Sequence, residues 1–252
     1  MGHIMNFPLV VCVCALLFMW GSAELGFSLQ KRHKIDEEDR GDFGLIVGAT
    51  LTLLGLLIGF TFSMAINRYD QRKNYEEEEA NAIGTEYVRL DFLTEPARSR
   101  VKGLLVEYLD LRIQKYNLHA VSDTSGLATK TAQVQDDMWN EVQKVAATNP
   151  NPVMATVVVG MNDVLNRQGY TQAARLNRIP VAAWILMTAI AFFSNFLIGF
   201  GAVKSHRLMF LIVPLAVSIS FFLIADIDSP QGGLIRVRPQ NMDILADSLR
   251  PK

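Results

Sequence analysis

Four apolar runs are set in polar sequence along this chain, at residues 7–27, 43–66, 180–203 and 208–225. Residues 43–66 contain no charged side chain. About 20 apolar residues in a helix cross the hydrocarbon core of a bilayer, so each run predicts a transmembrane span. The second run continues without a turn signal into polar sequence at Asn67, which predicts one long helix that leaves the membrane and enters water.

The first run has a second interpretation, as a secretory signal that is removed after export. Gly21, Ser22 and Ala23 form a small-residue cleavage pattern at its end. No Lys or Arg precedes the run, however, and this favours a retained span. Residues 1–5 are interpreted as an added leader, because a second methionine follows a short stretch that contains a histidine.

The connections between the runs predict two helical hairpins. Residues 204–207 are enough only for a tight turn, so the third and fourth spans are paired, and the first and second form the other pair. Four spans place both termini and residues 67–178 on one side of the membrane. This topology places six Lys and Arg residues near the membrane on one side and seven on the other. The positive-inside rule therefore does not decide the orientation.

Residues 67–178 have a helical period throughout. The second helix is predicted to continue to about Leu93, before breaks at Pro96, at residues 121–126 and at residues 149–152. Three more helices are predicted at residues 97–119, 129–147 and 152–175. The fold class is therefore an all-α membrane protein, with four transmembrane helices as two hairpins (residues 6–66 and 179–226) around a helical cytosolic bundle (residues 67–178). The tail, residues 227–252, is predicted to lie against the bundle.

Composition excludes several function classes. The chain is 50% hydrophobic, and its 24 basic residues balance 25 acidic ones, so bulk electrostatic capture of nucleic acid is disfavoured. The thiols of Cys12 and Cys14 lie within the first run and predict lipid- or helix-facing side chains rather than a metal site or a disulfide. No catalytic constellation, cofactor motif or metal-ligand spacing is present, so we expect no enzyme, cofactor or metal. The histidines are scattered, at His3, His33, His119 and His206.

Two acidic clusters are candidate sites. Residues 76–79 are four consecutive glutamates, which suggest either a cation ring or a solvated helix face with pairs such as Arg72–Glu76; the solvated face is favoured. Asp226 and Asp228 follow the last span. They are predicted to bind a cation or to form ion pairs that tie the tail to the second helix, and the ion pairs are favoured. Their candidate partners are Arg68, Arg72 and Arg236. Asn195, in the middle of the third span, predicts a hydrogen bond between helices.

Two stretches of the sequence, GLLIGFTFSMAINRYDQRKNYEEEEANAIGTEYVRL and ADIDSPQGGLIRV, resemble a family of uncharacterised bacterial membrane proteins described as bestrophin-like. The resemblance covers most of the chain. More distantly, the layout is similar to that of bestrophins, homopentameric anion channels whose pore is lined by the second span. The resemblance implies a homo-oligomeric, pentameric ion channel of the bacterial inner membrane, with the termini and the central domain in the cytoplasm and inorganic ions as the conducted species.

Apolar residues every four positions form the narrow neck of bestrophins, and alignment through Arg68 places that neck at Thr52, Leu56 and Phe60. With Ser63 these residues share one face of the helix, where apolar rings gate by dewetting. Thr52 departs from the bulky apolar pattern. Tyr69-Asp70 also replaces a run of tryptophans, and only Asp226 and Asp228 remain of an acidic calcium clasp. The alternative is that Leu56 and Phe60 simply contact lipid or other spans.

A second face of the same span is smooth. Gly55 and Gly59 form a G-x-x-x-G motif, and Gly48 extends it, which predicts close packing between helices. Two functions therefore remain open: an oligomeric, anion-conducting channel, or a non-conducting membrane scaffold or sensor whose helical domain binds a cytosolic partner.

Overall fold

The computed structural model describes residues 7–32, 35–118, 125–202 and 209–250. All secondary structure in these residues is helical, as eight α-helices and one 3-10 turn. In chain order the helices are α1 (Pro8–Gln30), α2 (Arg40–Arg89), α3 (Ala97–Asn117), α4 (Ser125–Thr148), α5 (Pro152–Leu176), α6 (Val181–Gly201), α7 (Met209–Asp228) and α8 (Gln240–Leu249).

Four of these helices are long and apolar enough to cross a membrane: α1, α2, α6 and α7. The prediction of an all-helical fold with four helices able to cross a membrane is thereby confirmed for the described residues. Pro8 and Pro152 each stand in the first turn of a helix, where the missing N–H breaks no hydrogen bond. Asn151 caps α5, because its side chain accepts a 2.8 Å hydrogen bond from the backbone N–H of Met154.

Helix α2 is 50 residues long and continues into a 3-10 turn at Leu90–Phe92. No glycine or proline interrupts residues 66–83, so nothing in the sequence stops the helix where it turns from apolar to polar. It ends shortly before Pro96, and Leu93 is already extended. The predicted continuation of the second span is confirmed.

The start of α4 differs from the prediction. The helix begins at Ser125 rather than at residue 129, and Gly126 lies inside it although it was assigned to a break. The backbone carbonyl of Ser125 accepts a 3.0 Å hydrogen bond from the Thr129 hydroxyl, and Leu127 packs on the core, so tertiary contact extends the helix. Helix α3 ends at Asn117; its predicted last residue, the turn at residues 204–207 and the leader at residues 1–5 lie outside the described residues.

The chain divides into two compact units. The membrane unit comprises the residues up to Arg68 and those from Arg178 to Arg236, and in it α1 packs against α6 and α7. The Ser22 hydroxyl donates a 2.7 Å hydrogen bond to the carbonyl of Phe192, which joins α1 to α6. The predicted pairing of the first span with the second stays a prediction.

The polar unit comprises the residues from Tyr69 to Asn177 and those from Val237 onward. Its core is formed by apolar side chains that are almost fully buried, among them Leu105, Tyr108, Met138, Met161 and Met242. Helix α8 belongs to this unit and buries Met242 and Ala246, which lie four residues apart on one face. Helix α8 is not predicted from the sequence, because its ten residues span fewer than three helical turns.

Candidate functional site

The four candidate pore residues lie on the surface of the single chain. Thr52, Leu56, Phe60 and Ser63 are all exposed, and Phe60 exposes 63% of its surface. The Thr52 hydroxyl donates a 2.8 Å hydrogen bond to the carbonyl of Gly48, so it is satisfied inside its own helix. The structure therefore presents one continuous exposed face of α2 that is apolar at Leu56 and Phe60 and hydroxylic at both ends.

Helix α2 is distinguished from the other spans by how little of it is buried. Only 6% of its most apolar stretch of 18 residues is buried within the chain, against 22%, 28% and 50% for the stretches in α1, α6 and α7. A span that buries so little in its own chain must cover its surface with lipid or with other chains.

The glycines that are predicted to pack closely make no close contact with other described residues of the chain. A Cβ added to Gly48, Gly55 or Gly59 would meet no described atom within 4 Å, so the smooth face is open. Packing of this face therefore stays a prediction, restricted to contacts with other chains.

Close packing in the membrane unit is provided instead by Gly26 and Gly199, where α1 crosses α6. A Cβ on Gly26 would collide with the carbonyl of Phe196 and would lie 2.8 Å from the nitrogen of Phe200. A Cβ on Gly199 would collide with the backbone of Ala23. The sequence signal was present as a small-x-x-x-small pair, Ser22 and Gly26, but was overlooked beside the more obvious G-x-x-x-G of α2.

The favoured interpretation of residues 76–79 as a solvated face is wrong. Glu76 and Glu79 are almost fully buried in the polar unit, Glu78 is half-buried, and only Glu77 is exposed. Their spacing explains the difference: positions three apart lie on one face of a helix, and here that face packs against the bundle. Glu76, Glu78 and Glu79 bind partners inside the chain.

Glu76 caps helix α8. Its Oε1 accepts 3.0 Å hydrogen bonds from the backbone N–H groups of Asn241 and Met242, and its Oε2 accepts a 2.7 Å bond from the Asn241 side chain. A carboxylate at a helix N-terminus meets unpaired N–H groups and the positive end of the helix dipole. Burial raises the pKa of Glu76 above its ordinary value, although these hydrogen bonds oppose the shift.

Glu79 is the centre of a buried polar cluster. Its carboxylate accepts hydrogen bonds from Arg112 Nε (2.5 Å) and Nη2 (3.2 Å), from the Tyr108 hydroxyl (3.3 Å) and from the Thr171 hydroxyl (2.9 Å). Both oxygens are used, and the negative charge is matched by the guanidinium. The cluster joins α2, α3 and α5, so its role is to hold the polar unit together.

Asp226 and Asp228 organise the chain after α7 through backbone hydrogen bonds. Asp226 accepts from the N–H groups of Leu234 (2.7 Å) and Ile235 (2.8 Å), and Gly233 lies so close that a Cβ would stand 2.6 Å from the Asp226 carbonyl. Asp228 accepts from the N–H of Ile179, just before α6. Both carboxylates are thus occupied within the membrane unit.

The Asp-x-Asp motif therefore acts at least as a backbone clasp, and this use of its oxygens was not foreseen. The ion pairing of the motif with Arg68, Arg72 and Arg236 stays a prediction. Among the described residues, no group of three or more His, Cys, Asp or Glu side chains is arranged to hold a metal ion.

The prediction for Asn195 is wrong in its partner. Its amide donates a 2.7 Å hydrogen bond to the carbonyl of Ala191 in the same helix, and its Oδ1 has no partner among the described residues. The hydroxyls of Ser194 and Ser218 are buried and unbonded in the same way. These side chains are buried in α6 and α7 and form no hydrogen bond between the described helices.

Comparisons with known proteins match this chain to bestrophin-like proteins. The profile of the bestrophin-like domain matches residues 13–242. A bacterial bestrophin homologue from Klebsiella pneumoniae is similar in structure, with 15% identity, a TM-score of 0.64 and coverage of 96% of this chain and 95% of that one. A point mutant of a bacterial bestrophin homologue from the same organism gives 16% identity, a TM-score of 0.65 and coverage of 96% and 97%. A search of curated proteins finds no match.

Proposed function

Since the chain belongs to the bestrophin-like family, whose known members are ion channels, we propose that it forms a homopentameric ion channel with α2 lining the pore. Thr52, Leu56, Phe60 and Ser63 face the axis in this proposal. Five copies of one exposed helix around a centre surround a pore, which no single copy with four spans does. The proposed location is the bacterial inner membrane, with the spans as two hairpins and both termini and the polar unit in the cytoplasm.

The observation that supports this proposal best is the exposure of α2 in the single chain. Lipid alone does not require such a surface to be smooth at Gly48, Gly55 and Gly59 and bulky at Leu56 and Phe60. Two faces of different character fit a helix that contacts a neighbouring copy with its glycines. The bulky side chains are then left to form rings at the axis.

The proposed rings at Leu56 and Phe60 act as a hydrophobic constriction. A narrow apolar pore loses its water, and an ion without its hydration shell does not pass. Widening either ring is then expected to raise the ion flux. The conduction of anions rests on the likeness to bestrophins, since the described residues of α2 between Phe43 and Ile66 carry no charge that would select by sign.

The proposal is tested by ion flux through the purified protein in liposomes. Leu56→Ala and Phe60→Ala are expected to raise or deregulate the flux. Leu17→Ala in α1 and Phe193→Ala in α6 are matched controls, because they remove the same side chains at similar exposure from other spans. Flux equal to that of empty liposomes, over several pH values and calcium concentrations, would refute conduction. Equal responses of test and control variants would refute the pore assignment.

A second candidate function is a non-conducting scaffold or sensor. It is favoured by apolar side chains that the polar unit leaves exposed: Val88 and Phe92 at 66% each, Val159 at 65% and Ile244 at 62%. A polar substitution at Phe92 distinguishes the two functions. Loss of a cytosolic binding partner with no change in flux supports the scaffold, whereas loss of the oligomer in native mass spectrometry assigns this surface to contacts between copies.

A further inference from the structure

Glu86 is a buried carboxyl group that forms a loose ion pair with Arg89. Its side chain is fully buried in the polar unit, and neither Oε1 nor Oε2 has a hydrogen-bond partner among the described residues. The nearest cation is Arg89 Nη1, 3.8 Å from Oε2, and the Arg89 side chain is 38% exposed to solvent. A buried carboxylate that is compensated only by a loose, partly exposed ion pair is costly, so the group is expected to keep its proton. Burial raises the pKa of Glu86 to about 8, although Arg89 opposes the shift.

The carboxyl group is wedged between α2 and α5 at Gly160. A Cβ on Gly160 would stand 2.9 Å from Glu86 Cδ and would collide with Oε2 and with Arg89 Nη1. Gly160 does not have a positive φ, so space rather than backbone conformation calls for glycine here. The carboxyl group therefore lies directly against the backbone of α5 and has no access to solvent.

The charged groups of α5 do not compensate Glu86. Asp163 accepts a 3.2 Å hydrogen bond from Arg167 Nε one turn further along α5. Arg167 also binds Glu78, on α2. This cation is thus already shared by two other carboxylates.

The charged groups of the other elements described near this part of α2 are already paired or are exposed to solvent. Lys102 of α3 bonds Asp91 at 2.6 Å and lies over the ring of Tyr87. Helix α8 approaches α2 at Gly84 through the apolar side chain of Leu245, while its acids are exposed. Among the described residues, Arg89 therefore supplies the positive charge that lowers the pKa of Glu86.

We propose that Glu86 is a proton-operated latch between α2 and α5. With its proton, the carboxyl group fits against Gly160 and the two helices pack closely. Without it, the buried charge draws in water or pulls away from α5, and the contact loosens. The consequence for ion flux rests on the proposed function, because α2 is there the helix that lines the pore.

The sign of the pH effect follows from proton uptake. Between the ordinary pKa of 4.5 and about 8, the folded protein holds a proton on Glu86 that the unfolded chain has lost. The folded state is therefore progressively destabilised as pH rises through this window, and the loss is complete above it. A neutral residue of the same shape removes this dependence.

Melting temperature against pH tests the latch on the full chain in detergent. Glu86→Gln mimics the protonated group, and Glu77→Gln is the control because Glu77 is exposed on the same helix. From about pH 5 to about pH 9, the wild type and Glu77→Gln are expected to fall by several degrees relative to Glu86→Gln. Parallel curves for the three proteins would overturn the proposal.

Hydrogen exchange of the wild type covers the case in which Glu86→Gln does not fold. Peptides from residues 80–90 and 155–165 are expected to lose protection between about pH 6 and about pH 9, after correction for intrinsic exchange, while peptides of α4 keep theirs. Unchanged protection in both segments would refute the latch.

Ion flux measured at about pH 6 and about pH 9, the values of the exchange experiment, tests this proposal separately from the channel proposal. A severalfold pH dependence in the wild type that Glu86→Gln abolishes supports both. If no variant conducts but the melting curves separate, the latch stands and the channel proposal fails. If the protein conducts but the melting curves are parallel, the channel stands and the latch fails.

Discussion

The two parts of α2 both depart from the usual relation between polarity and burial. Between Phe43 and Ile66 the helix is apolar, yet Leu56 and Phe60 are exposed. Between Tyr69 and Arg89 it is rich in charge, yet Glu76, Glu79 and Glu86 are buried. The polar part packs in a helical bundle of the same chain, whereas the membrane part has few neighbours within the chain. Exposure on this helix therefore reports where the neighbours are and not how polar the residues are.

The largest effect is expected from the buried acids. Glu79→Ala leaves Arg112 buried and unpaired, so the free energy of unfolding is expected to fall by about 3–5 kcal/mol. Glu77→Ala, on the exposed side of the same helix, is expected to change it by less than about 0.5 kcal/mol. Thermal or denaturant unfolding of the two variants is the measurement. Similar values would show that the polar part of α2 is not buried as described.

The two kinds of glycine in the membrane unit offer the next test. Gly199→Ala forces a Cβ into the backbone of Ala23 and is expected to destabilise the chain by about 1–3 kcal/mol. Gly59→Ala meets open space in the single chain. It is expected to leave the protomer intact and to weaken the oligomer, as seen by native mass spectrometry. Equal loss of protomer stability in both variants would contradict the distinction.

A leucine pair on α2 sharpens the comparison within one turn. Leu54 is 2% exposed and Leu56 is 51% exposed. Leu54→Ala removes packing inside the chain and is expected to lower protomer stability by about 1–3 kcal/mol, below the usual cost in water because lipid also solvates leucine. Leu56→Ala is expected to leave protomer stability unchanged and to alter flux. A stability loss at Leu56 alone would reverse the assignment of faces.

The smallest effect is expected at the α8 cap. Glu76→Ala removes three hydrogen bonds at the N-terminus of α8 and is expected to cost about 1–2 kcal/mol. Hydrogen exchange of residues 240–249 is expected to speed up first, because this helix is short. If exchange is unchanged there, α8 is held by Met242 and Ala246 alone.

The spans were predictable because they depend on local composition. A run of about 20 apolar residues forms a helix in lipid wherever its neighbours lie, since the backbone must satisfy its own hydrogen bonds there. The length of α2 was predictable for a related reason, because no glycine or proline interrupts residues 66–83. The candidate pore face followed from helical spacing and from a family resemblance, and its exposure is compatible with that prediction without testing it.

The buried acids were mispredicted because charge is a poor guide to burial when a partner is distant in the sequence. Glu79 bonds Arg112, 33 residues away, and Thr171, 92 residues away. Glu76 caps a helix 165 residues further along. Nothing in the local sequence of the four consecutive glutamates indicates which two contact these distant partners.

By itself the sequence determined the four spans, the continuous second helix and the family, because each depends on residue order and on the chemistry of single segments. Only the tertiary structure decided which acids are buried, which glycines are in contact and which buried carboxyl group makes no hydrogen bond to the described residues. Those properties arise between segments that the chain brings together, and each depends on contacts of a few ångströms that no local pattern encodes.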